Sequence, residues 1–300
     1  MGAVLGSACA APTAKKTVLG DREALKQFGY EGESVLGEGA FGQVLLVSLE
    51  KPRRQYACKK LKQEQVESSW LQTEVTILKT CRHPNITFLR EVCVSKSNEQ
   101  VFLILELARG GSLLERIEAE KRLTESHAAS VVIQIASALA YLHGKGIVHR
   151  DMKPENVLLL ENTSRSLVKL CDFGLSKITK RRSDTVDQVA QPMAGQPGQP
   201  PLPQMQRQSS GGGSTASFRT LMKSRVGSHY YVSPEVLLEE EYTAAVDLWG
   251  LGHILYQSLT GVHAFDESVD MYSDVIEARV DYGDRAWREA PEVRVESPST

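Results

Sequence analysis

Two short polar strings, separated by a fixed gap, constrain the fold of this chain more than any other feature. The first is His149-Arg150-Asp151-Met152-Lys153-Pro154-Glu155-Asn156, and the second, which begins sixteen positions after Asn156, is Asp172-Phe173-Gly174. Together they supply a candidate general base, a lysine that can contact phosphate and two candidate Mg²⁺ ligands on neighbouring loops. Transfer of a phosphoryl group to a hydroxyl requires such a set, because the protein must mainly position and neutralise a charged transition state.

Each polar side chain of these strings matches one requirement of that chemistry. Asp151 can accept the proton of the attacking hydroxyl, while Asn156 and Asp172 can offer the hard oxygen ligands that Mg²⁺ prefers. Lys153 can contact the transferred phosphate. The alternative is that these are ordinary loop residues, and it is disfavoured because two such strings in this order rarely arise by chance.

A glycine-rich segment near the N-terminus lies between two predicted strands. Residues 35–49 alternate and then run apolar around Gly37, Gly39 and Gly42, which predicts a hairpin. In a dinucleotide-binding fold the glycines would instead open a helix. The loop can therefore fold over phosphates, and Lys59 on the next predicted strand strengthens that interpretation.

Residues 30 to about 287 resemble a eukaryotic protein kinase domain, on the strength of these and further strings. The similarity is greatest to the calcium/calmodulin-dependent group, especially the plant and protist calcium-dependent kinases. Besides the two strings above, the matching segments are Gly37-Glu38-Gly39-Ala40-Phe41-Gly42-Gln43-Val44, Ala57-Cys58-Lys59, Gly227-Ser228-His229-Tyr230-Tyr231-Val232-Ser233-Pro234-Glu235 and Asp247-Leu248-Trp249-Gly250-Leu251-Gly252.

The resemblance implies an α+β, two-lobed fold. Residues 30–107 would form an N-lobe with a small antiparallel β-sheet and one helix, and residues 108–288 a mainly α-helical C-lobe. The C-lobe would lack the family's last helices, and Glu235 would lack the arginine that usually pairs with it. We therefore expect a C-terminally incomplete domain.

The resemblance also implies that ATP and Mg²⁺ bind in the cleft between the lobes. Lys59 would hold the α- and β-phosphates and pair with Glu74, which lies in a helix predicted over residues 63–79. Glu106 and Ala108 would offer backbone groups to adenine. The full set of implied nucleotide contacts is Leu36, Gly37, Gly39, Gly42, Val44, Ala57, Lys59, Glu106, Ala108, Asn156, Leu158 and Asp172.

Other predicted elements would hold this site together. Residues 101–107 form a buried strand that leads into the hinge, with Leu105 as gatekeeper, and residues 126–143 form a long apolar helix capped by Thr124. By the resemblance, Asp247 would brace the backbone of the loop that carries Asp151. Two internal stacks are also implied, one of Leu78, Leu89, His149 and Phe173, the other of Val44, Ala57 and Leu158.

The expected activity is protein serine/threonine phosphorylation. Lys153, two residues after Asp151, is typical of serine/threonine kinases, and Ser228 matches the hydroxyl that touches this lysine in the family. A non-catalytic nucleotide-binding scaffold or a truncated kinase fragment remains an alternative. A small-molecule phosphotransferase is disfavoured, because such enzymes seldom carry the string at residues 227–235.

Regulation and substrate preference stay open at the level of sequence. In the family, Arg150 often pairs with a phosphate on the activation segment, so Ser224 could be a target of an upstream kinase or a plain loop serine. Relatives that prefer basic substrates carry acids where this chain has Ser112 and Gln257, which leaves only Glu155. Cys171 is expected to be a buried, inert thiol rather than a redox target.

Three segments are predicted to be disordered. They are an N-terminal extension (residues 1–29), an insertion rich in Gln, Pro, Gly and Ser inside the activation segment (about 181–219) and a tail (289–300). Acylation of Gly2, with a second chain on Cys9, could give weak membrane association, although the position-six residue of the acylation motif is Gly6 rather than Ser or Thr.

Composition sets the remaining limits. A net charge of −2 and the lack of a basic run give no indication of nucleic-acid binding. Five cysteines without a paired CxxC motif predict free thiols in a reducing compartment, which favours the cytoplasm. No apolar run in the sequence is long enough to cross a bilayer.

Overall fold

The computed structural model describes residues 19–39, 42–49, 51, 54–61, 69–95, 100–179, 228–238, 240, 243–265, 271–280, 282 and 287. Its α-helices are α1 Leu19–Lys26, α2 Ser69–Thr80, α3 Leu113–Glu120, α4 Glu125–Gly144, α5 Pro234–Leu237, α6 Ala245–Thr260 and α7 Met271–Ile276. Its strands are β1 Tyr30–Gly39, β2 Gly42–Leu49, β3 Arg54–Leu61, β4 Leu89–Ser95, β5 Gln100–Glu106, β6 Ile147–Val148, β7 Val157–Leu159, β8 Val168–Leu170 and β9 Lys177–Ile178.

Strands β1 to β5 form one antiparallel sheet in the order β1-β2-β3-β5-β4. The hairpin predicted around the glycines is confirmed, since β1 pairs with β2 as far as Gly39 opposite Gly42. The strand predicted to carry Lys59 and the strand predicted at 101–107 are also confirmed, as β3 and β5. Alternate side chains of these strands face the cleft side, where Ala57 and Lys59 lie, and the outer side, where Cys58 lies.

Helix α1 covers the outer face of this sheet. Ala24 and Leu25 are fully buried there with Tyr30 at the start of β1. The prediction that residues 1–29 are disordered is therefore wrong for residues 19–26. The helix is not predictable from the local sequence, because the burial of Ala24 and Leu25 depends on the outer face of the sheet.

The helical part of the chain is built around α4 and α6. Thr124 caps α4, as predicted, since its side chain accepts a hydrogen bond from the His127 N–H. Helix α6 ends at Gly261, whose φ of 82° is left-handed. A side chain at Gly261 would not fit, because a Cβ there would lie 1.9 Å from the Lys121 carbonyl oxygen.

Several predictions fall on residues outside the described ranges. They concern Gly2, Cys9, the insertion at 181–219, Ser224, the tail at 289–300 and the first residues of the helix predicted over 63–79, of which α2 is the described part. The side chain of Ser228 is likewise outside them. Within the described ranges, none of the helices has the length and apolar character needed to cross a membrane.

Candidate active site

A buried lysine joins the sheet to the helical lobe. Lys59 Nζ on β3 lies 2.6 Å from Glu74 Oε1 on α2 and 3.3 Å from Asp172 Oδ1. All three side chains are buried. Burial by itself lowers the pKa of the Lys59 ammonium, but the carboxylates of Asp172 and Glu74 outweigh it and the net pKa is raised. The lysine is therefore a fixed positive charge buried between two carboxylates.

The loop between β6 and β7 presents the candidate base. Lys153 Nζ lies 3.1 Å from the Asp151 carboxylate. The Asn156 side-chain amide donates to the Asp151 carbonyl oxygen at 2.7 Å and to Asp151 Oδ2 at 2.9 Å. These contacts hold Asp151 from two sides and fix its direction.

The side chains of Asn156 and Asp172 fit a Mg²⁺ ion bound together with phosphates. Because the Asn156 amide nitrogen donates to Asp151, its Oδ1 is the atom left to act as a ligand. Asp172 adds a carboxylate. Among the described residues, no group of three or more His, Cys, Asp or Glu side chains could hold a metal on its own. A magnesium ion here would take its other ligands from phosphate and water, as Mg²⁺ commonly does.

The backbone is strained at two points of this site. Arg150, which precedes the candidate base, has a φ of 70°, and Asp172, the candidate metal ligand, has a φ of 60°. A left-handed conformation at a residue other than glycine costs roughly 1 to 3 kcal/mol and persists only where surrounding contacts impose it. At Arg150 the contact is clear, because its N–H donates to Asp247 Oδ1 at 2.7 Å and the His149 N–H donates to Asp247 Oδ2 at 2.9 Å.

An apolar cavity opens beside the hinge between β5 and α3. It is lined by Leu36, Val44, Ala57, Thr87, Leu105, Glu106, Leu107, Ala108, Leu158 and Cys171. This set contains six of the twelve predicted nucleotide contacts and the predicted gatekeeper Leu105, and it adds Thr87, Leu107 and Cys171. Apolar walls with a few polar groups are typical of a site for a flat aromatic ring.

Both predicted internal stacks are brought together, and Val44, Ala57 and Leu158 of the second one line the same cavity. The rings of His149 and Phe173 lie 5.0 Å apart, and Phe173 shares a buried cluster with Leu78 and Leu89.

The predicted burial of Cys171 is confirmed, and burial raises the pKa of its thiol well above the usual value. Its Sγ–H donates to the Asn156 carbonyl oxygen at 3.3 Å.

Comparison with known proteins decides the family. The family model described as "Protein kinase domain" matches residues 30–198 and 203–296. The chain belongs to the protein kinase family. The five-stranded antiparallel sheet and the helical lobe around α4 and α6 are the two lobes of the kinase fold, as expected from the sequence.

Three relatives illustrate which kinases this chain is similar to. The probable myosin light chain kinase of Dictyostelium discoideum is 34% identical over 265 residues, which cover 86% of this chain and 72% of that protein. Serine/threonine-protein kinase H1 of Homo sapiens is 31% identical, over 86% of this chain and 53% of that protein. Calcium/calmodulin-dependent protein kinase type 1 of Macrobrachium nipponense is 30% identical, over 93% of this chain and 72% of that protein.

Two residues that replace acidic positions of some kinases have structural roles here. Ser112 caps α3 in a reciprocal capping box with Glu115. Gln257 Oε1 accepts a hydrogen bond from the Tyr231 hydroxyl at 2.9 Å. The remaining acid, Glu155, is largely buried, and burial raises the pKa of its carboxyl group.

Sequence reasoning missed two contacts that shape the kinase site. His143 Nε2 lies 2.7 Å from Asp247 Oδ2 and so adds a third partner to that carboxylate. Lys169 on β8 forms an ion pair with Glu106, for which the sequence predicts only a backbone contact to adenine. No local signal identifies either pair, because each joins residues more than sixty positions apart.

Proposed function

We propose that this chain is a protein serine/threonine kinase that transfers the γ-phosphate of ATP to hydroxyl groups of protein substrates. The convergence of one ammonium group with the candidate base and metal ligands carries this proposal. Lys59 lies 3.3 Å from Asp172, and Asn156 lies 2.9 Å from Asp151. The two pairs are joined because the N–H of Cys171, the residue before Asp172, donates to the Asn156 carbonyl oxygen at 3.0 Å. A constellation of this kind positions phosphates and neutralises their charge, which is most of what phosphoryl transfer needs.

Each side chain has one task in the proposed mechanism. Asp151, held by Asn156 and Lys153, accepts the proton of the substrate hydroxyl. Lys153 then stabilises the negative charge near that oxygen. Lys59, kept in place by Glu74, neutralises the inner phosphates of ATP, and Asn156 with Asp172 would hold Mg²⁺, which supplies charge neutralisation at the phosphates when it is bound.

Two variants test the catalytic assignment. Asp151→Asn should abolish transfer of labelled phosphate from ATP to a generic protein substrate while MgATP binding persists. Lys59→Met should weaken MgATP binding as well as transfer. Full activity of Asp151→Asn would refute the assignment, and a wild-type chain that binds MgATP without any transfer would support the non-catalytic scaffold instead.

The serine/threonine specificity rests on Lys153, whose position two residues after Asp151 is typical of serine/threonine kinases. Its Nζ lies 3.1 Å from the Asp151 carboxylate. Phosphoamino-acid analysis of the product should give phosphoserine or phosphothreonine. Recovery of phosphotyrosine as the main product would contradict the proposal.

We also propose that the chain is related to the calcium-dependent subgroup of kinases. The support is the 30% identity to a calcium/calmodulin-dependent relative.

Phosphorylation of Ser224 by an upstream kinase is part of the proposal. Its support is a cavity of about 270 Å³ behind the catalytic loop, whose lining includes the basic side chains of Arg150, Lys177 and His143. A phosphate placed there would lie beside the charged side chains of Arg150 and Lys177. Unchanged activity of a Ser224→Ala protein purified from eukaryotic cells would refute this switch.

We propose a cytoplasmic location, with at most weak membrane association through acylation of Gly2 and Cys9. One acyl chain anchors a protein only marginally, so such binding would be reversible. Labelling with a myristate analogue, compared between the wild type and Gly2→Ala, tests the first chain. Equal labelling of both proteins would exclude Gly2 as its site.

A further inference from the structure

A mostly desolvated ion pair lies behind the hinge, away from the phosphate end of the cleft. Lys169 Nζ lies 2.9 Å from Glu106 Oε1, and the two side chains are only 9% and 21% exposed. The same oxygen accepts the Phe88 N–H at 2.6 Å. None of the roles assigned above uses the Glu106 side chain or Lys169.

The pair connects the two lobes at the point where the base cavity is formed. Glu106 is the last residue of β5, and its N–H also donates to the Phe88 carbonyl oxygen at 3.0 Å, so it is bound twice to the N-lobe. Lys169 lies on β8 of the C-lobe, directly opposite Leu158 on β7. Leu158 lines the cavity from below, while Glu106 lines it at the hinge.

Neighbouring backbone contacts make this connection stiff. The Thr87 N–H donates to the Leu170 carbonyl oxygen at 3.0 Å, and the Leu170 N–H donates to the Asn85 carbonyl oxygen at 2.9 Å. The segment before β4 is therefore bonded to β8 just beside Lys169. A charged contact with little solvent around it is screened less than a surface pair, so it can hold a fixed separation.

We propose that Lys169 is a positioning residue for nucleotide recognition. Through the Glu106 carboxylate, Lys169 fixes the hinge backbone relative to β7 and β8. It thereby sets the distance between the hinge and Leu158, which line the cavity proposed to receive the base. The inference rests on the proposed function for its ligand, ATP. Its effect falls on the base end of the nucleotide and not on the phosphates.

Calorimetric titration with adenosine and with MgATP tests this role, together with kcat and KM on a protein substrate. Lys169→Met should weaken both ligands by the same factor, roughly threefold to tenfold, which is the effect of losing about one net hydrogen bond. Its kcat should stay within about twofold of the wild type, because the phosphate and metal contacts are untouched. Lys169→Arg should restore both affinities.

A matched control separates this effect from a general loss of charge. Arg279→Met breaks an exposed ion pair with Asp274 on α7 and should change neither affinity. If Lys169→Met does not fold, Lys169→Gln replaces it, since its amide keeps a polar group beside Glu106 while the charge of the pair is lost.

Three results would overturn the proposal. They are unchanged adenosine affinity in a variant with a lowered melting temperature, weakened MgATP binding with normal adenosine binding, and a kcat that rises when the pair is broken. The last would mean that the pair restrains the lobes instead of placing the base. Adenosine binding does not depend on phosphate transfer. A wild-type protein that binds adenosine but does not catalyse transfer would therefore refute the proposed function and leave the role of Lys169 standing.

Discussion

His253 makes the folded kinase sensitive to acid. It lies on α6, is 3% exposed, and its ring packs 5.2 Å from Tyr231 and 5.4 Å from Phe265. Burial, followed by the nearby His263, lowers its pKa to about 3. In the unfolded chain a histidine has a pKa of about 6.5. The folded state therefore keeps the ring neutral where the unfolded state takes up a proton.

The sign and size of the effect follow from this difference. Because the pKa is depressed on folding, the ring costs no stability above pH 6.5, and it destabilises the folded state increasingly as the pH falls from 6.5 toward 3. At about 1.4 kcal/mol per pH unit, a fall from pH 7 to pH 5 removes about 2 kcal/mol of unfolding free energy. That is a substantial share of the 5 to 15 kcal/mol that is usual for a folded domain.

Replacement of this histidine by a ring that does not titrate isolates the effect. Urea unfolding of the wild type and of His253→Phe, followed by tryptophan fluorescence, should be measured at pH 7, 6 and 5. Every other titrating group is shared, so the difference in unfolding free energy should move by about 2 kcal/mol in favour of the variant between pH 7 and 5. Parallel pH profiles for the two proteins would refute the reasoning.

Three further predictions concern the core and the site. Gly261→Ala should destabilise the protein by roughly 2 kcal/mol or more, because φ is positive and the new Cβ would meet the Lys121 carbonyl oxygen; the control Gly252→Ala, which meets nothing within 4 Å, should leave the melting temperature equal or higher. Cys171, with its raised thiol pKa, should resist iodoacetamide at pH 8 until denaturant is added, and mass spectrometry showing rapid labelling of the folded protein would contradict this. Asp247→Asn should lower kcat by about tenfold or more, because an amide group cannot accept both backbone N–H donors, while MgATP affinity measured by calorimetry changes little; unchanged kcat would show that the catalytic loop does not need this carboxylate.

The sequence was sufficient for the parts of the fold that local patterns encode. The strands around the glycine loop alternate with a period of two, and α4 carries both an apolar face and the Thr124 cap, so both were predictable. The assignment of Lys59, Glu74, Asp151 and Asp172 to one site depended on the resemblance to a family rather than on periodicity.

Other features depend on contacts between distant residues and could not be predicted. The ion pair of Lys169 with Glu106 exists because β8 passes behind the hinge, and neither residue is unusual in its own segment. Helix α1 was missed for the same reason, because Leu25 is buried only by the outer face of the sheet. The left-handed backbone at Arg150 also has no local signal, since arginine does not favour it.

The dependence of Arg150 on Asp247 has a consequence for how the enzyme is made. A growing polypeptide that has emerged as far as Gly174 already carries the lysine, the base and both metal ligands. It still lacks the carboxylate on α6 that bends the loop around Arg150 into shape. Catalytic competence should therefore arrive late in synthesis, only after residue 247 has left the ribosome and packed beneath the loop.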